Sequence, residues 1–218
     1  MQFGTRLVTI PLLLAVANCA HLNDPVASAQ SGVESGGQSE SSKKGSDLVP
    51  YMWHDGEREH RVWMDPSLVA EVNPTASTRS TLGQATVRAD IKTGGQTVRY
   101  WKLEKGTNAE GMLEKLAADH APGSFSPVWH DSPSTEGPVR ILPGNIVVIL
   151  DPNWSQEAVS QWVERRQLRV LSRLPFGPNM LLIESDAGIP ALELANSLHR
   201  SGEVKAAFPD WLAQKTLK

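Results

Sequence analysis

The residues with the clearest capacity for chemistry are two short runs that place a histidine beside an aspartate. Trp53-His54-Asp55 recurs as Trp129-His130-Asp131, and His60 lies near the first run. Imidazole and carboxylate groups are ligands that Zn²⁺ binds, so a metal site is one interpretation. Each pair lies beside a predicted turn, however, where solvated His-Asp pairs are common. We therefore expect neither metal nor cofactor here. Another interpretation is that the repeat is the remnant of a diverged internal duplication.

The familiar catalytic motifs of hydrolases do not occur in the sequence. None of the six histidines is followed by glycine, and there is no Gly-Thr-Ser, Gly-x-Ser-x-Gly or His-Glu-x-x-His run. Isolated acids such as Glu57, Asp65 and Glu114 are typical of solvated surfaces rather than of acid–base pairs. The sequence therefore predicts a protein that is not an enzyme.

The net charge argues against a nucleic acid partner, and the cysteine content excludes an internal disulfide. The net charge of −3 provides no basic surface for a polyanion, so we expect no nucleic acid partner. Cys19 is the single cysteine, so an internal disulfide is excluded.

The N-terminus has the features of an export signal. Arg6 precedes an apolar stretch from Leu7 to Ala17, which is too short for a helix to span a bilayer of roughly 30 Å. Its size and flanks are those of a secretory signal, which we assign to residues 1–19. The sequence therefore predicts export, to the periplasm, to the outer membrane as a lipoprotein, or into the medium.

Val16-Ala17-Asn18-Cys19 resembles a bacterial lipobox, in which the cysteine becomes the lipidated first residue. The resemblance implies lipidation of Cys19 and contact with a membrane only through that lipid. Cleavage after Ala17 or Ala29 remains open, and Cys19 would then be removed or left as a lone thiol. Residues 20–47 follow, and most of them are Ser, Gly, Gln, Glu and other polar or small residues. Such a composition predicts a disordered linker.

The first part of the folded region, residues 48–133, is predicted to be a small, mostly β unit of α+β class. Two hairpins are indicated, one around Asp55-Gly56 and one around Gly94-Gly95. Thr107 and Glu110 have the spacing of a capping box at the start of a helix, and residues 72–81 are expected to form a loop. Most tryptophans here are expected to be packing residues rather than a carbohydrate platform.

Residues 134–218 predict a second unit with the element order βαββαβ. Strands are expected at 145–150, 168–171, 179–184 and 204–208, and helices at 155–167 and from Pro190 to Gly202. This order predicts a ferredoxin-like fold, in which both helices cover one face of an antiparallel sheet. The other face is left bare, which favours binding of a partner.

The block from Gly144 to Leu212 resembles the N-terminal propeptide domain of bacterial subtilisin-like serine proteases. Residues 62–70 and 126–129 are similar to the extra N-terminal half that longer secreted members carry. The catalytic domain of that family has no counterpart in this sequence. The resemblance implies an inhibitor, folding assistant, or both, for a subtilisin-like serine protease supplied in trans.

In that family the bare sheet face packs on two helices of the protease, and the C-terminal tail lies in the substrate cleft. The resemblance therefore implies protease contact by Phe208, Asp210 and Trp211, and by Thr216, Leu217 and Lys218 near the position of the scissile bond. The chain stops where propeptides are normally cut. Phe208 stands where the family usually has an acid, and Asp210 is the candidate to replace that acid. The alternatives are a surface lipoprotein that binds something other than a protease, and a remnant of a longer protease gene.

Overall fold

The computed structural model describes residues 47–75, 82, 85–93 and 95–213. All of them belong to one compact unit, Lys43–Lys218. The predicted signal segment with Cys19, the predicted linker up to residue 46, and Thr216, Leu217 and Lys218 lie outside the described residues.

The described chain has the α+β class that the sequence predicts. A large sheet joins seven strands and contains only antiparallel pairs. These strands are β1 (Val49–Asp55), β2 (Arg58–Val72), β3 (Thr86–Thr93), β4 (Gln96–Lys102), β5 (Ser124–His130), β6 (Val139–Ile141) and β11 (Leu212–Ala213). Their order is β11-β6-β5-β2-β4-β3, with β1 paired to β2. Helix α1 (Ala109–Ala118) contacts β2 and β5.

A second, four-stranded sheet is also antiparallel. It contains β7 (Ile146–Ile149), β8 (Val170–Arg173), β9 (Met180–Ile183) and β10 (Ala206–Pro209). Helix α2 (Gln156–Arg165) follows β7, and helix α3 (Ile189–Arg200) follows β9. The strand order is β10-β7-β9-β8, so the first and third strands of the unit are central.

The predicted hairpins are present, but β2 is longer than expected. Asp55 pairs with Arg58 across the first turn, where Gly56 has φ +57°. β2 then continues through Val72, the first residue of the predicted loop. It does so because it pairs with β1, β4 and β5 along its length. Pro66 is tolerated because the register to β5 shifts between Asp65 and Val69, as at a β-bulge.

The observed start of α1 and the observed end of α2 differ from the expectations. Asn108, not Thr107, caps α1, because its backbone is extended and its side chain accepts a hydrogen bond from the Gly111 N–H at 2.8 Å. At the end of α2, Gln167 adopts a left-handed φ of +53°, and the Leu168 N–H donates back to the Val163 carbonyl. Leu168 therefore completes the helix end, and β8 begins two residues later than predicted.

One hydrophobic core joins the two predicted segments. Val62, Met64 and Trp129 of the large sheet pack in the same cluster as Trp162 of α2 and Leu192 of α3. Strand β6, which lies beyond the predicted boundary at residue 133, belongs to the large sheet. We therefore expect the two sheets to unfold together.

Trp129→Ala is predicted to lower the free energy of unfolding by about 3–5 kcal/mol, because it opens a cavity where both sheets meet. Trp129 is 0% exposed. Urea unfolding monitored by tryptophan fluorescence and by far-UV circular dichroism measures the effect. Phe176→Ala is the control, with a change within about 0.5 kcal/mol because Phe176 is 82% exposed. Two separate transitions in the wild-type protein would contradict a shared core.

Candidate functional site

The candidate site is the sheet face that the helices do not cover, called the open face below. Two rows of apolar side chains cross it. Each row consists of three residues that lie opposite one another, one each from β10, β7 and β9. The first row is Phe208, Val147 and Leu182, and the second row is Ala206, Ile149 and Met180. Four of the six are only half-buried, the exceptions being Val147 at 8% and Ala206 at 6% exposure.

The alternating register explains why this face is uncovered. The intervening rows contain Ile146 with Ile183, and Val148 with Leu181 and Ala207. These side chains are completely or almost completely buried and share one cluster with the buried stripes of α2 and α3. Successive residues of a strand point to opposite faces, so the rows of the open face point away from both helices. Among the described residues, none of the open-face side chains belongs to that cluster.

Exposed apolar residues extend the open face toward one end of the small sheet. Leu171 of β8 is 42% exposed, and Phe176, in the turn between β8 and β9, is 82% exposed. Large side chains of this kind that adjoin an apolar face are typical of a protein–protein contact surface. The open face can therefore bury apolar area against a partner.

Phe208 lies in the first row of the open face, and Asp210 follows two residues later. Asp210 is exposed, and among the described residues it has no salt-bridge partner. Nearby protein atoms still remove part of its hydration, and this desolvation raises its pKa. Its carboxyl group is thus available to an external donor next to the open face.

Trp211 packs inside the protein rather than opening a free tail. Its ring meets Trp129 edge to face at 5.2 Å between centroids, and Trp53 at 5.8 Å. His60 stacks on the other side of this group, 4.4 Å from Trp53. The next residues form β11, in which Leu212 pairs with Ile141 of β6. The chain is therefore fixed to its own large sheet as far as Ala213.

The two His-Asp runs end in different environments. His54 stacks on His199 of α3 at 4.1 Å between ring centroids, whereas His130 is buried in the large sheet. In the part of the chain that the structure describes, no group of three or more His, Cys, Asp or Glu side chains is arranged to hold a metal ion. Of the His and Asp residues considered as metal ligands, His60 and Asp55 lie close together, with 3.9 Å between Nε2 and Oδ2, whereas His54 and His130 have different neighbours.

The expectation that Asp65 lies on a solvated surface is wrong, because Asp65 is 6% exposed and belongs to a polar cluster at the bulge of β2 that sequence reasoning missed. Asp65 accepts hydrogen bonds from the Ser67 N–H at 2.8 Å and the Ser67 hydroxyl at 2.5 Å, and Lys102 donates to that hydroxyl at 2.5 Å. Burial opposes ionisation of Asp65, but the contacts with His130, Ser67 and Lys102 outweigh burial and lower its pKa to about 2. The Asp-Pro-Ser run is a turn signal that could have indicated this cluster. Asp65, Ser67 and Lys102 therefore form one hydrogen-bonded cluster at the bulge of β2.

Comparison with known proteins gives no assignment, because no protein-family model, curated protein or solved structure matches this chain. None of the described helices is long and apolar enough to cross a membrane.

The His54–His199 stack predicts a stability that depends on pH. Burial, and then the charges of His54 and Arg200, lower the pKa of His199 below its usual 6.5. The unfolded chain therefore binds more protons just below that pH, and the free energy of unfolding falls as the pH drops from about 6.5 through the lower folded pKa. Urea unfolding at several pH values between about 5 and 7.5 measures the slope.

His199→Gln is expected to flatten that slope, and His54→Gln to reduce it. His120→Gln is the matched control, because His120 is exposed and lies outside the stack. Equal slopes in the wild-type protein and His199→Gln would contradict this interpretation.

Proposed function

We propose that this protein is an exported, non-catalytic partner of a subtilisin-like serine protease, which it inhibits, helps to fold, or both. The observation that carries the proposal is the open face of a small βαββαβ sheet, with β11 directly after its last strand. The resemblance of residues 144–212 to subtilase propeptides is the second support. The comparisons provide no support for or against it.

The topology supports a ferredoxin-like assignment for residues 146–209. A helix follows the first strand and another follows the third, and the strand order β10-β7-β9-β8 puts those two strands in the centre. In this arrangement the helices share one face, so the sheet has one free surface. A propeptide of this fold uses that surface for its protease.

The composition of the open face supports a protein partner with apolar helices. Phe208, Ile149, Met180 and Leu182 are half-buried and adjacent across three strands. A few large apolar side chains in the centre of an interface usually supply most of the binding free energy. Methionine adapts its shape to the partner surface, which suits contact with the ridges of a helix pair.

Asp210 supports a polar contact at the edge of the same surface. The resemblance places an acid of this region against helix N-termini of the protease, whose free N–H groups bind anions. Phe208 occupies the usual place of that acid, and Asp210 is exposed with no salt bridge in the described structure. We assign the anionic contact to Asp210 and an apolar contact to Phe208.

Trp211 and β11 give the tail a fixed starting point in this proposal. Leu212 and Ala213 pair with β6, so the chain has a defined position up to the start of the proposed tail, residues 214–218. An extended segment of five residues reaches about 17 Å at most, enough to lie along several subsites of a protease cleft. Binding would then occur by strand addition, with main-chain hydrogen bonds to the enzyme. Trp211 anchors the tail, while Thr216, Leu217 and Lys218 contact the cleft.

A second candidate function is a surface-binding module whose partner is not a protease. The docking of Trp211 and β11 onto the protein's own sheet favours it, because the open face can then act without the tail. Both functions use the same face, but only the first uses residues 214–218. The two predictions below therefore distinguish them.

Ile149→Lys in the centre of the open face is predicted to weaken inhibition of a susceptible subtilisin-like protease at least about tenfold, because a charge would be buried in the interface. Inhibition constants against a panel of purified subtilisin-like proteases measure the effect. Val87→Lys is the matched control, because Val87 is a half-exposed strand residue of β3, outside the small sheet. Absence of inhibition across the panel by the folded wild-type protein would refute the protease proposal.

Deletion of residues 214–218 is predicted to raise the inhibition constant by at least about tenfold while leaving the melting temperature nearly unchanged, because terminal residues contribute little to a core. The same panel and a thermal melt provide the two readings. If the truncated protein inhibits as well as the full chain, the tail does not enter the cleft. Loss of thermal stability would instead place these residues in the fold.

A further inference from the structure

A small pocket lies on the large sheet, away from the open face. Its volume is about 210 Å³, and its walls include Leu68, Ile91, Val128 and Val139. Strand β3 contributes to one side, and β6 with its preceding loop contributes to the other. In a flat sheet three strands would separate these two, a distance of roughly 19 Å at the usual strand spacing. The large sheet must therefore curl around the pocket.

The cluster of apolar residues beneath the pocket supports this curvature. It contains Ile91 of β3 and Leu212 of β11, the two ends of the strand order, together with Leu68 and Val128 from the middle. Tyr100 of β4 belongs to the same cluster and lines the pocket. The pocket is thus a concave site built on regular strands, and its walls combine apolar side chains with a few polar ones, which is the usual form of a small-molecule site.

His130 gives the pocket a buried polar group that has no hydrogen bond among the described residues. It lines the pocket and is 2% exposed. Neither ring nitrogen has a hydrogen-bond partner among the described residues. Asp65 Oδ2 lies 3.8 Å from Nε2, an electrostatic contact that is longer than a hydrogen bond, so Nδ1 is the ring nitrogen with neither a hydrogen bond nor an ion-pair contact among the described residues. A buried polar group without a partner is costly, and a ligand that accepts its N–H would remove that cost.

Two further groups determine the charge that the pocket prefers. Arg88 lines the pocket, and in the described part of the chain its guanidinium makes no salt bridge. Tyr100 is 6% exposed, and burial raises its pKa, so its hydroxyl remains a neutral donor. Asp65 is not among the residues that line the pocket. The polar side chains of the pocket wall are Arg88, Tyr100, His130 and Thr135; they include one cation and no acid, which suits an anionic ligand.

We propose that this pocket binds a small monocarboxylate with an apolar body, with Arg88, His130 and Tyr100 placed around the carboxylate. Its volume sets the size of the ligand. A cavity of about 150 Å³ binds benzene, so 210 Å³ accommodates one ring and a carboxylate. Benzoate is the simplest molecule of this class. The site is separate from the proposed protease surface, and its existence does not depend on the protease proposal.

Titration of the ¹⁵N-labelled protein with benzoate, followed by heteronuclear NMR, tests the proposal. A ligand of this size is expected to bind with a dissociation constant of about 1 mM, so the titration extends to about 20 mM. The expected result is saturable shifts of amides around the pocket, including those of Leu68, Val128 and Val139. Benzyl alcohol, similar in shape but uncharged, is expected to bind about tenfold more weakly.

Arg88→Gln is expected to weaken benzoate binding about tenfold, because it removes the positive charge. Arg88 is exposed, so the fold is expected to tolerate the substitution. Arg173→Gln is the matched control, because Arg173 is exposed on the other sheet. His130→Gln is a second variant. Its affinity for benzoate is interpreted only if its spectrum remains that of a folded protein. Three results would overturn the proposal: no saturable shifts, equal binding of benzyl alcohol, or unchanged affinity in Arg88→Gln.

Discussion

The packing of Trp129 between the two sheets is the interaction on which the rest of the structure depends. Its ring is completely buried, shares the main core with α2 and α3, and meets Trp211 edge to face. Trp53 completes the group from β1. Aromatic pairs of this geometry stabilise by about 0.5–1.5 kcal/mol beyond the area they bury. They help to fix the large sheet to the helix layer of the small one, so the buried stripes of α2 and α3 are already covered.

That constraint explains why the open face is the candidate binding surface. One face of the small sheet is fully used by α2, α3 and their contacts with the large sheet. The opposite face retains two rows of half-buried apolar side chains, and the chain leaves its last strand directly toward Trp211 and β11. The same packing therefore exposes one surface and fixes the position of the chain as far as Ala213. Both features support the proposed protease partner.

Local patterns predicted most of the elements, and long-range contacts explain what was missed. The hairpin at Gly56, helix α2 with its Ser155 cap, and the strands of the small sheet follow from turn residues, capping and periodicity. Asn108 replaced Thr107 as a cap because both residue types cap well and only the backbone decides between them. Strand β11 has two residues and no periodic signal, so its pairing with β6 could not be predicted.

The sequence predicted only part of the candidate site, because the rest depends on contacts between residues that are distant in sequence. The alternation of β7, β9 and β10 predicts a bare face, and Phe208 lies on it. The position of Trp211 depends on Trp53 and Trp129, which are distant in sequence. His54 and His130 belong to matching runs but meet different neighbours, because their strands pair with different parts of the chain. Similar local sequence therefore did not predict a shared site.

Methyl NMR of the protein mixed with an inhibited subtilisin-like protease would test the central claim most directly. Cross-saturation from the protease reports which methyl groups lie in the interface. The account predicts strong transfer to the methyl groups of Ile149, Met180 and Leu182, and little to Leu192, which is 1% exposed in the core. Transfer confined to the large sheet or to the surface of α1, with none to the open face, would contradict it.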